Sequence, residues 1–200
     1  MNGITMCKIL KEDVRTSHIP IILLTAKDSL QDKEEGYQVG ADSYLTKPFS
    51  ATLLHSRINN LLESRKRLTE RFNTSTPHHN MDEKRALLAE SLNKLDNEFI
   101  EKINQLIEAR LSSEKIDIGY LADNMCMSKS TLYRKMKALT GLSTNEYVRK
   151  IKMQHAERLL LEGRYNISEV AFRVGINSVV YFRQCFKEEF GVLPSEYLKQ

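Results

Sequence analysis

Lys137-Ala-Leu-Thr-Gly141, followed by Glu146-Tyr147, returns fifty residues later as Lys187-Glu-Glu-Phe-Gly191, followed by Glu196-Tyr197. Just upstream, Leu132 and Met136 match Phe182 and Phe186 at the same offset. Further upstream, Asp117-x-x-x-Leu-Ala122 matches Asn166-x-x-x-Val-Ala171 at an offset of forty-nine. Self-similarity of this kind marks a repeated supersecondary unit. The one-residue slip falls in a turn, where a change of length is tolerated best.

Each copy reads as a short helix, a tight turn and a second, amphipathic helix. In the first copy the short helix spans about 118–125 with Asp117 as its cap. The second helix runs Lys129–Thr140, between Ser128 as N-cap and Gly141 just past its end. In the second copy the short helix spans about 167–174 and Gly175 makes the turn. A helix Val179–Phe190 follows, between Ser178 and Gly191. Ala122 and Ala171 are small where the two helices of each copy must cross closely. This is helix-turn-helix geometry, at about 116–141 and 166–191.

The second helix of each copy keeps one face apolar: Leu132, Met136 and Leu139 in one, Phe182, Phe186 and Phe190 in the other. The opposite faces carry Lys129, Ser130, Tyr133, Arg134 and Lys137, and Val179, Arg183, Gln184 and Lys187. Arg and Gln read base edges in the major groove, Lys meets phosphates, and Val179 and Val180 suit a thymine methyl. A solvated surface is the plainer reading of either face alone, and duplication of the whole unit argues against it. Between the copies a helix of about 144–162 places Tyr147, Ile151, Ala156, Leu159 and Leu160 on one side. Eighteen or so residues give a rod of roughly 27–30 Å, near the ~34 Å repeat of adjacent major grooves.

Upstream of this all-α domain the pattern changes. Ile19-Pro-Ile-Ile-Leu-Leu-Thr-Ala26 is a continuous apolar run of the kind a parallel strand buried on both faces shows. A helix at 28–39 ended by Gly40 is expected next, then a short strand in Asp42-Ser-Tyr-Leu-Thr-Lys-Pro-Phe49. Ser50 caps a helix striped with Leu53, Leu54, Ile58, Leu61 and Leu62. Strand, helix, strand, helix is the order of an α/β unit with a parallel sheet. Residues 67–94 read as a linker: Phe72-Asn-Thr-Ser-Thr-Pro-His-His-Asn80 is polar and aperiodic, although Leu87, Leu88, Leu92 and Leu95 are spaced as on a helix. His78 and His79 lack neighbouring ligands for a metal. Asp96 is the expected cap of a helix carrying Phe99, Ile100, Ile103, Leu106, Ile107 and Leu111. The domains are thus 1–66, 67–94 and 95–200.

A net charge of +4 suits a nucleic-acid partner without requiring one. Three cysteines, odd in number and without C-x-x-C spacing, argue against a disulfide framework or a zinc site and fit a reducing cytosol. No apolar run approaches the ~18–20 residues of a membrane span, and no signal peptide opens the chain. With no Ser/His/Asp set, metal cluster or glycine-rich phosphate loop, neither an enzyme nor a cofactor is expected.

From Ile116 to Gln200 the chain resembles the AraC/XylS-type DNA-binding domain. The match is carried by Ile167-Ser-Glu-Val-Ala-Phe-Arg-Val-Gly175, Tyr181-Phe-Arg-Gln-Cys-Phe-Lys187, Gly191 and Pro194-Ser-Glu-Tyr197. The resemblance implies base-facing Ser130, Tyr133 and Arg134, and Val179, Val180, Arg183 and Gln184. Ile176 departs from it, standing where an aromatic is usual. The first region is similar to the latter half of a response-regulator receiver, a flavodoxin-like fragment. That likeness implies that Thr25 and Lys47 face a phosphoryl group, that Tyr44 is the switch aromatic, and that Lys47-Pro48 is cis. Met1-Asn2-Gly3-Ile4 resembles the segment just after the phosphoacceptor aspartate. That aspartate, the acidic metal-binding pair and the first three strands are therefore not expected here. Asp28 and Asp42 do not match these positions. Two strands without neighbours would leave open edges, prone to pairing. The whole resembles the C-terminal end of a bacterial hybrid two-component (phosphorelay) regulator, with a membrane sensor and kinase upstream. Double-stranded DNA is the first expected partner. A second copy, other receivers or RNA polymerase follow, and the expected place is the cytoplasm.

Overall fold

A computed structural model describes residues 2–26, 29–73, 93–112 and 116–198. The reading of His78, His79 and the spaced leucines 87–92 lies outside these residues, as does Asp28. Helix α1 (Gly3–Glu12), which the sequence reading did not assign, is capped by Asn2, whose side chain accepts from the Thr5 amide at 2.7 Å. Strand β1 (Ile22–Thr25), helix α2 (Leu30–Gln38) and strand β2 (Ser43–Thr46) follow. The strands pair in parallel, Ile22 opposite Ser43 and Thr25 opposite Thr46. Cys7, Leu23, Ala41 and Tyr44 make a small core between them and α1. Gly36 is required there, because a Cβ would lie 2.8 Å from the Tyr44 ring. The Lys47-Pro48 bond is cis.

Both strands are shorter than the apolar runs that predict them. Pairing stops at Ile22 because β2 offers only four residues, and Pro20 has no amide to donate. Ile19 instead closes a turn onto the Thr16 carbonyl and is exposed. Helix α2 starts after Ser29, whose hydroxyl accepts from the Asp32 amide, and Gly40 follows its end at φ 88°. Ser50 does cap helix α3 (Ala51–Asn73), accepting from the Leu53 amide at 3.1 Å. That helix runs past the boundary expected at 66, and pairs such as Glu63–Arg67 support the added turns. Its expected stripe is only partly covered: Leu54 and Leu61 are half-buried, while Leu53, Ile58 and Leu62 are exposed. Met6, Ile9 and Leu24 are exposed as well.

The remaining elements are helical. Helix α4 (Lys94–Glu108) is capped by Asn93 rather than Asp96, which lies inside the first turn and is buried. Its last residue falls before Leu111, which packs elsewhere. Then come α5 (Ile118–Asn124), α6 (Lys129–Thr140), α7 (Thr144–Leu161), α8 (Ile167–Arg173), α9 (Val179–Phe190) and α10 (Pro194–Tyr197). Asp117, Ser128 and Ser178 cap as expected, each accepting from a first-turn amide, and Asn166, the repeat partner of Asp117, does the same for α8. Gly141 and Gly191 take left-handed backbone at φ 73° and 78°. At the turn inside each unit the Met127 amide bonds the Ala122 carbonyl and the Ile176 amide bonds that of Ala171. Cys126 and Gly175 occupy the same left-handed position, at φ 52° and 65°.

Two cores result. Phe99, Ile103 and Ile107 of α4 join Leu121, Leu132, Met136 and Leu139 in the first. Leu111, Val170, Val174, Phe182 and Phe186 form the second, with Tyr197 and the core position Ile176. Helix α7 belongs to both, giving Tyr147 and Ile151 to one and Met153, Ala156 and Leu160 to the other.

Candidate nucleic-acid interface

Helices α6 and α9 are held from behind, and this decides what they present. Each buries an i, i+4 pair completely, Leu132 with Met136 and Phe182 with Phe186. At about 100° per residue the opposite arc of α6 carries Ser130, Tyr133, Arg134 and Lys137, and all four are exposed. On α9 the matching arc carries Val180, Arg183, Gln184 and Lys187, also exposed, Val180 at 77 %. Val179 departs from the expected outward placement. It is half-buried at the start of the helix, where the chain turns in from Ser178. Phe190, expected inward, is also half-buried and stacks 5.7 Å from Tyr197.

The polar groups are partly pre-arranged. Ser128 accepts from the Thr131 amide at 3.1 Å and shares a hydrogen bond with Ser130 at 2.9 Å. The Arg134 guanidinium donates back to the Ser130 carbonyl at 3.3 Å, which keeps its stem along the helix. Lys129 is exposed but folds over the start of α5, where a Cβ on Gly119 would meet its ammonium at 3.1 Å. Gln184 donates to Glu188 at 3.1 Å.

Charge distinguishes the two faces. Between Lys129 and Thr140 helix α6 carries basic residues and no acidic one. Helix α9 has Glu188 and Glu189, and α7, the linker helix between the two units, answers both: Arg149 pairs with Glu188 at 3.4 Å and Lys150 with Glu189 at 3.2 Å. Arg149 also hydrogen-bonds Tyr181, a half-exposed aromatic beside Val180. The sequence reading had not singled out Arg149 or Tyr181. Their signal was there, since a basic residue of a linker helix between two such units has acids within reach on α9.

In the first region Thr25 ends β1 and the Lys47 amide donates to its carbonyl at 2.7 Å, so the two come together at one end of the sheet. Lys47 is exposed and Tyr44 is buried against α2. Asp42 is a structural node. It accepts from Lys11 at 2.7 Å and from the Ile21 amide at 2.8 Å, with Arg65 at 3.8 Å. Among the described residues no helix is long and apolar enough to cross a membrane.

Comparison with known proteins finds matches in both parts of the chain. A family model described as a response regulator receiver domain matches residues 1–59, and one described as a helix-turn-helix domain matches residues 121–200. The chain is 35 % identical over 197 residues to histidine kinase P4 of Formosa agariphila, a match covering 98 % of this chain and 14 % of that protein. It is 32 % identical over 99 residues to the DNA-binding dual transcriptional regulator Rns of Escherichia coli, covering 50 % of this chain and 37 % of that one. Among solved structures, the C-terminal domain of AraT, a response regulator from Geobacillus stearothermophilus, matches with a TM-score of 0.46 at 31 % identity. That match covers 50 % of this chain and 84 % of that one. The chain thus spans well under half the length of the curated relatives it matches. It joins a segment similar to response regulator receiver domains to one similar to helix-turn-helix domains.

Proposed function

We propose that this chain is the output portion of a two-component transcription regulator, and that it reads double-stranded DNA with α6 and α9 in adjacent major grooves. The observation that carries this is the duplicated exposed basic face, joined in α9 by the Gln184 amide, with the two copies packed on the one helix α7 that links them. In this reading Arg134, Arg183 and Gln184 bond base edges, with Ser130 and Tyr133 beside them. Val180 meets a thymine methyl with Val179 at its margin, and Lys129, Lys137 and Lys187 meet phosphates. The chain acts by binding rather than by catalysis, in the cytoplasm, as part of a longer protein whose other portions sense a signal. A second copy and RNA polymerase are its expected contacts on DNA. Selection from a random duplex library tests it. The wild-type chain should recover a bipartite site, and Arg134→Ala should cost about 1–3 kcal/mol at one base position. An equal loss on all sequences would remove Arg134 from base reading.

A second reading is favoured by the exposed apolar side chains Met6, Ile9, Leu24, Leu53 and Leu62. Exposed apolar side chains of this kind can seat a protein partner, and an intact receiver domain is the proposed one. The full chain should then co-elute with such a domain, and Leu24→Glu should abolish this without changing DNA affinity. In either reading a small phosphodonor should leave the mass of the chain unchanged.

A further inference from the structure

The two units sit fifty residues apart, so Lys135 of α6 occupies the place that Cys185 holds in α9. Cys185 is buried among apolar side chains, as the position demands. Lys135 is buried just as deeply, at 0 % exposure. An ammonium there loses its hydration and must find oxygen partners. It has three: Asp96 Oδ1 at 2.6 Å, Ser17 Oγ at 2.9 Å and the Val14 carbonyl. The Ser17 hydroxyl donates in turn to Asp96 at 2.7 Å. Asn93 completes the cluster, donating to Asp96 at 2.9 Å and to the Ser17 carbonyl at 3.3 Å. One side chain of a reading helix therefore joins the first turn of α4 and the 13–19 loop of the receiver part. A methionine would fill most of the space and make none of these bonds.

We infer that Lys135 is a positioning residue for DNA reading: it ties the first reading helix to the receiver loop, so that the receiver part and the first unit move as one body. The inference rests on the DNA-reading function proposed above. Lys135 is one residue, or about 100°, round the helix from Arg134. The loop is thus seated on a flank of α6 and leaves Ser130, Tyr133, Arg134 and Lys137 open. Helix α3 packs against α6 as well, and Val14 lies against the first core. Among the described residues the main packing partners of helix α9 are α7, α8 and α10, none of them in the receiver part. Replacing a buried ion pair by apolar groups often leaves stability unchanged, whereas the pair fixes register. A displacement of the receiver loop therefore carries α6 with it before it reaches α9.

The test uses the full chain, with Ser17→Ala and the double variant Asp96→Leu/Lys135→Met, which fills the site and leaves no charge unpaired. Amide hydrogen exchange is followed over residues 129–140 and 179–190. Binding is measured on the duplex that wild type selects, with each half-site scrambled in turn. Both variants should exchange about tenfold faster across α6 and at the wild-type rate across α9, in line with losing a hydrogen bond to a charged group. Binding through the first half-site should weaken about tenfold and binding through the second should not change. The double variant should melt within a few degrees of wild type. Exchange that is unchanged, or that rises equally in both helices, overturns the tie, as does a loss of both half-sites that follows the melting temperature. If the double variant fails to fold, Ser17→Ala alone decides, since it removes one hydroxyl and no charge. A wild-type chain that selects no sequence defeats the DNA-reading function, and the exchange rates still judge the tie.

Discussion

His18 shows how strongly one side chain can depend on its surroundings. It is buried beside the Lys135 cluster, and its Nδ1 has no hydrogen-bond partner. Burial first, then the nearby Lys135 charge, push its pKa down from 6.5 to about 4, against a smaller opposing pull from Asp96. Between those values the unfolded chain holds a proton that the folded chain does not. Stability therefore falls as pH drops from about 6.5 to about 4, by up to roughly 3 kcal/mol, and the loss levels off below that. Denaturant melts at pH 7 and 4.5 check this, and His18→Phe should remove most of the difference. Cys126 is a second such residue. It holds a left-handed turn that Gly175 makes in the other unit, at a cost of about 1 kcal/mol for a side chain. Cys126→Gly should raise the unfolding free energy by up to that amount, read from thermal or urea melts. Lys135 was the least legible residue. A lysine on an amphipathic helix is read as outward, and only its alignment with a buried cysteine fifty residues on betrays the inward placement.

At the level of elements, legibility followed the local signals. Helices α6 and α9 were readable to the residue because serine caps and left-handed glycines bracket them. Where long-range contacts chose between options, reading failed. Asn93 and Asp96 are both good caps, and the helix starts at Asn93 because Asp96 is drawn inside by Lys135. Strand β1 is short because its partner is short, which its own apolar run cannot tell. Spacing and the family resemblance both place Val179 outward, yet it is half-buried where the chain enters the helix from Ser178. The aromatic centre of α9 was legible and yields a prediction. Phe186 stands 5.9 Å from Phe182, 4.5 Å from Phe190 and edge-on to Tyr197 at 5.6 Å. Phe186→Ala should cost about 3–5 kcal/mol. It should loosen the second unit while hydrogen exchange in the first stays close to wild type.

On the scale of the whole molecule, the arrangement puts acids and bases to different uses. The linker helix neutralises the acids of α9, so both reading faces are left basic. Affinity for DNA should therefore fall steeply with salt. Lys137→Ala and Lys187→Ala should each weaken binding on all sequences and reduce the log–log salt slope by about one. An unchanged slope would take that lysine off the phosphates. Helix α7 has a further consequence. Its 18 residues are anchored at one end by the first core and at the other by the second, so it can neither slide nor rotate within the domain. The molecule is built as a ruler with a fixed phase. On the proposed DNA-reading function, the groove it would match comes round once in about 10.5 base pairs. An operator lengthened by half a turn would show its two halves on opposite sides of the duplex, and the rod could follow only one of them.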